Sequence, residues 1–96
     1  MDTKKILEDR QRDYGNFTDL ATIERAMKKT MAHKIPEIKE DYKVSALGMI
    51  IHKIARIVNG NSDKIDSWQD IAGYAELVVN ELKKPVETNT MYDRKK

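Results

Sequence analysis

No cysteine occurs in the 96 residues, which excludes a disulfide framework and any thiolate-held metal site and suits a reducing compartment. Long apolar runs are missing as well. No stretch approaches the roughly 20 residues a membrane helix needs, and Met1-Asp2-Thr3-Lys4-Lys5 offers no apolar signal region. An excess of one charge is also absent: 35% of the residues are charged, yet the net charge is only +2. A nucleic-acid polymer would not be gripped non-specifically, so any basic function has to be local. Nor is there a hydrolytic triad, a glycine-rich phosphate loop or a zinc-ligand spacing. The expectation is a soluble, cytoplasmic protein with no cofactor, no membrane partner and no nucleic-acid partner.

What is present is a helical period written twice. Val44, Leu47, Ile51, Ile54 and Val58 recur at spacings of three and four, and Trp68, Ile71, Ala75, Val78 and Leu82 repeat the pattern. Between them Asn59-Gly60-Asn61-Ser62-Asp63-Lys64 is turn chemistry, with Gly60 suited to a left-handed helix end. The expected fold is an all-α small helical bundle built on a long antiparallel helical hairpin, with residues 1–84 as one domain and 85–96 as a polar tail.

The remaining segments fit around that hairpin. Residues 3–13 form a charged short helix anchored by Ile6 and Leu7, and Tyr14-Gly15-Asn16-Phe17 interrupts it. Asn16 or Thr18 can cap the next helix, about 19–32, whose apolar face carries Leu20, Ile23, Met27 and Met31. Pro36 breaks the chain into a connection pinned by Ile35 and Ile38, with His33 a solvated loop residue. The third helix spans about 41–59. The fourth starts at Asp66 or Ser67, with Gln69 or Asp70 completing a capping arrangement, and stops before Pro85. Gly48 in the third helix and Gly73 in the fourth are expected at close helix contacts, because glycine inside a helix costs about 1 kcal/mol relative to alanine. One small core leaves Ile50 and Ile57 as uncovered flanks, so a homodimer or homotetramer is expected. Met91 and Tyr92 could anchor the tail to a neighbouring subunit.

Folding the hairpin antiparallel brings Arg56 near Asp70 and His52 near Tyr74. One end of the molecule then gathers His52, Lys53, Arg56, Asp66, Trp68, Asp70 and Tyr74, with Tyr14 and Arg10 as further candidates. Cations, a stacking ring and hydrogen-bonding groups are what a nucleotide requires. Plainer roles compete with this one. Trp68 can be core, Arg56 and Asp70 an interhelical ion pair, Asp66 a cap, and Tyr14 and Phe17 plugs for the end of the bundle. Asp66 and Asp70, one helical turn apart, could also hold magnesium.

His52-Lys53-Ile54-Ala55-Arg56 and Asp66-Ser67-Trp68-Gln69-Asp70-Ile71-Ala72-Gly73-Tyr74-Ala75, with Tyr14-Gly15-Asn16-Phe17 upstream, resemble a widespread group of small all-helical bacteriophage proteins over most of the chain. Two activities attach to that resemblance. One is the sponge type, anti-CBASS proteins that sequester a cyclic dinucleotide immune signal such as a cGAMP. The other, more distant, is the MazG-like all-α nucleotide pyrophosphohydrolase, whose metal site needs a Glu-Glu-x-x-Glu cluster. Here His52, Lys53 and Arg56 occupy the stretch where those carboxylates would stand, and Glu37 and Glu40 lie before the helix. Cations suit a phosphodiester and compete with a metal for Asp70. The expectation is therefore a non-enzymatic nucleotide binder using Arg10, Tyr14, His52, Lys53, Arg56, Trp68, Asp70 and Tyr74. Metal-dependent hydrolysis through Asp66 and Asp70 is the alternative, and a structural or protein-binding helical module a third reading.

Overall fold

A computed structural model describes residues 2–85 and shows an all-α chain. Helix α1 runs Thr3–Tyr14, α2 Phe17–Met31, α3 Asp41–Asn59 and α4 Ile65–Lys83, with a 3-10 turn at Ile35–Glu37 between α2 and α3. Met91 and Tyr92 lie outside the described residues. Local chemistry accounts for most of the boundaries. Asp2 caps α1 by accepting a bond from the Lys4 amide at 3.1 Å, and Asn16 caps α2 through the Asp19 amide, also at 3.1 Å. Gly15, at φ 78°, makes the left-handed step between the two helices. Pro36 opens the 3-10 turn, and Pro85 follows the end of α4.

Two expected caps are corrected. α4 starts at Ile65 with Lys64 before it and no side-chain cap, so neither Asp66 nor Ser67 caps it; Ser67 is buried instead. Gly60 has φ −134° and is not left-handed. Glycine is required there for a different reason: a Cβ would collide with the backbone of Asp13 and Tyr14. The same corner is crowded from the other side, where a Cβ on Gly15 would meet Asn59. Gly48 and Gly73, by contrast, face open space, since a Cβ on either finds no atom within 4 Å. The expected tight contacts at those two glycines are absent among the described residues.

α3 is the central element. α4 packs antiparallel along one side, with Tyr42 and Ala46 beside Val78 and Glu81 at one end and Lys53 beside Asp70 further along. α2 packs on another side, while α1 rests on α2 and α3 without burying a residue of its own. The core is Leu20, Ala46, Ile51, Ala55 and Ile57. A helix covered on two sides needs two apolar faces, and the single stripe read from α3 falls between them: Ile51 is buried, but Leu47 and Val58 are exposed. Ile57, expected to be an uncovered flank, is core. α4 turns Ser67, Ile71, Tyr74, Val78 and Glu81 inward, a face rotated by about 60° from the expected one at 100° per residue. Trp68, Ala75 and Leu82 are therefore outside. Beside Gly48 an open groove of about 440 Å³ separates α2 from α3, lined by Met31, Ile35, Val44, Leu47 and Ile51.

Candidate functional site

The corner where the α1–α2 turn meets the end of α3 is the most heavily bonded junction of the fold. The Asn59 side-chain amide donates to the carbonyls of Tyr14 and Asn16, each at 2.9 Å, and the Asn61 amide donates to the Asp13 carbonyl at 2.8 Å. Lys64 reaches the Asp13 carboxylate at 3.3 Å, and that hydrogen bond raises the Lys64 pKa above its ordinary value. Polar contacts thus do for α1 what apolar burial does not. They fix Tyr14 over α3, where the Arg56 guanidinium sits 4.1 Å from the ring centre.

Next to this stack lies a cleft of about 540 Å³, within the range of small-molecule sites. α1 contributes Leu7, Arg10, Gln11 and Tyr14, the turn and α2 contribute Gly15, Phe17 and Leu20, and α3 contributes His52 and Arg56. No carboxylate lines it. Neither Arg10 nor Arg56 forms an ion pair among the described residues, and Arg56 Nε is buried without a hydrogen-bond partner. The nearby acid, Glu24, is already engaged. One of its oxygens lies 2.6 Å from His52 Nδ1, and the other accepts from Lys28 at 2.8 Å. The His52 bond first, and the Lys28 bond second, hold the Glu24 carboxyl below its ordinary pKa, so it stays ionised and keeps the imidazole oriented.

Four of the eight residues expected at the site therefore meet here: Arg10, Tyr14, His52 and Arg56. The other four do not line the cleft. Lys53 pairs with Asp70 at 2.9 Å, and Tyr74 lines a separate groove between α3 and α4. Trp68 donates its indole N–H to the Ser62 carbonyl at 2.8 Å and shows its ring to solvent. The expected Arg56–Asp70 and His52–Tyr74 pairs are thus replaced by Lys53–Asp70, Arg56–Tyr14 and His52–Glu24. Among the described residues no group of three His, Asp or Glu side chains could hold a metal ion, and Asp70 is neutralised by Lys53. Sequence reasoning missed Glu24 and Asn59. Glu24 sits one turn before Lys28 and one turn after Leu20, a placement that could have suggested a charge turned toward a neighbouring helix.

A family model described as a domain of unknown function, DUF6378, matches residues 2–82. The chain belongs to the DUF6378 family. The match takes in all four helices, so the DUF6378 domain contains both the cleft and the Lys53–Asp70 pair. No curated protein and no solved structure matches the chain.

Proposed function

We propose that this protein binds a nucleotide signal, a cyclic dinucleotide, in the cleft between α1, α2 and α3, and holds it without turning it over. One observation carries the reading. The cleft presents Arg10 and Arg56 without a carboxylate to neutralise either. A guanidinium forks onto two phosphate oxygens at once, and each charge-assisted bond contributes on the order of 1.5 to 3 kcal/mol. Two guanidiniums in one cleft suit a ligand with two phosphates. Phe17, 78% exposed at the rim, offers a ring for a base to stack on, worth about 1 to 3 kcal/mol. His52, oriented by Glu24, supplies a further polar group.

The phage-type resemblance gives this chemistry a context: a small intracellular protein that sequesters a defence signal. Lys53, Asp70, Trp68 and Tyr74 have no direct part in it. The test is a melting-temperature screen of mononucleotides and cyclic dinucleotides with and without magnesium, followed by chromatography of the ligand released from a heat-denatured complex. The expected result is stabilisation by a cyclic dinucleotide, independent of magnesium, and recovery of the intact ring. Recovery of linear products in the presence of magnesium, lost on adding chelator, would establish nucleotide hydrolysis instead. No response to any nucleotide would leave the helical-module reading.

A further inference from the structure

Helix α4 shows solvent an apolar stripe that no other described element covers. Ile65, Trp68, Ala72, Ala75, Val79 and Leu82 are all exposed, the four large ones between 38% and 64%. Their spacing alternates three and four without interruption, the 3.5-residue period of a seam between two helices. It lies beside, and is distinct from, the face that α4 turns to its own core through Ser67, Ile71, Tyr74 and Val78. At 1.5 Å per residue the seam is roughly 26 Å long. Trp68 is also pinned at its indole nitrogen by the Ser62 carbonyl, so its ring is held in place before any partner arrives.

The order of sizes along the stripe points to the partner. The six residues are arranged symmetrically about a point between Gly73 and Tyr74: Ala72 and Ala75 flank it, Trp68 and Val79 come next, and Ile65 and Leu82 lie outermost. A second α4 laid antiparallel about a two-fold axis through that point sets alanine against alanine where the helices cross. Large residues then face large residues toward both ends. Each contact is made twice, as an isologous interface demands. In the same arrangement the two helix dipoles oppose. We infer that α4 pairs antiparallel with α4 of a second copy of this chain along this seam. None of the six residues lines the cleft, so the inference stands or falls independently of the nucleotide reading.

Sedimentation and disulfide trapping test it, and the absence of native cysteine makes the trapping clean. The expected result is a dimer at tens of micromolar that becomes a monomer on Val79→Asp with its helical circular dichroism unchanged. In an oxidising mixture, Ile65→Cys and Leu82→Cys chains should cross-link to each other. Neither should cross-link to itself, because like positions lie roughly 26 Å apart in an antiparallel pair. A monomeric wild-type chain, or a dimer that survives Val79→Asp, would overturn the inference. Self-cross-linking of Ile65→Cys as fast as the mixture would show a parallel pair and overturn it equally, and that readout remains should Val79→Asp fail to fold.

Discussion

Helix α3 meets neighbours on two sides, and the two sides handle charge in opposite ways. Toward α4, Lys53 is 12% exposed and reaches Asp70 at 2.9 Å, so cation and anion cancel inside the chain. Toward α1 and α2, Arg56 meets the face of Tyr14, and the nearby carboxylate, Glu24, is occupied by His52 and Lys28. A buried guanidinium nitrogen with no acceptor carries a desolvation cost that an arriving anion would relieve. The comparison separates a side of α3 that is complete from one that is suited to a partner from outside.

The largest expected effect attacks the corner that holds the open side together. Gly60→Ala drives a methyl group into the Tyr14 backbone and should cost at least about 3 kcal/mol, the upper part of the overpacking range, seen as a melting temperature lower by more than 10 °C. Next is Asn59→Ala, which removes two hydrogen bonds to the α1–α2 turn. A loss of about 2 kcal/mol is expected by chemical denaturation, with hydrogen exchange rising in α1 before α4. Exchange that rises evenly along the chain would contradict the view that these hydrogen bonds seat α1.

The two cations come next. Arg56→Ala should weaken cyclic dinucleotide binding by at least about tenfold, or 1.4 kcal/mol, with Arg56→Lys recovering only part of it. Lys53→Met should leave binding unchanged and lower stability by less than about 1 kcal/mol, since Asp70 is 48% exposed and can be hydrated. Equal effects of the two on binding, measured by calorimetry, would erase the distinction between the two sides of α3.

The smallest effect is one of pH. Glu24 has a lowered folded-state pKa, so its contribution is present above its unfolded pKa and is lost as pH falls through the folded one. Melting temperature should therefore drop below about pH 4, and Glu24→Gln should flatten that drop. A variant that follows the wild-type profile would remove Glu24 from the account.

Much of the fold was legible in the residues. The span of α3, the break at Tyr14-Gly15, the Asn16 cap and the stop before Pro85 all rest on local chemistry that acts within one turn of the chain. The candidate site was legible in part. Tyr14, Arg10, His52 and Arg56 were found as residue types, but their partners were not, because Glu24 and Asn59 act across 28 and 43 to 45 residues of sequence.

Helix number, helix order and most helix ends were therefore determined by the sequence alone, since apolar period, caps and prolines need no tertiary partner. Tertiary structure decided which way each helix is turned. α3 lies between two neighbours, so its apolar residues form two faces whose average is the stripe that periodicity reports. α4 carries one stripe for its own core and a second for the outside, and a rotation of about 60° separates the expected inward face from the real one. Such a rotation leaves the period unchanged. It moves Trp68 out of the core, gives Asp70 to Lys53, and leaves Arg56 Nε without a hydrogen-bond partner among the described residues.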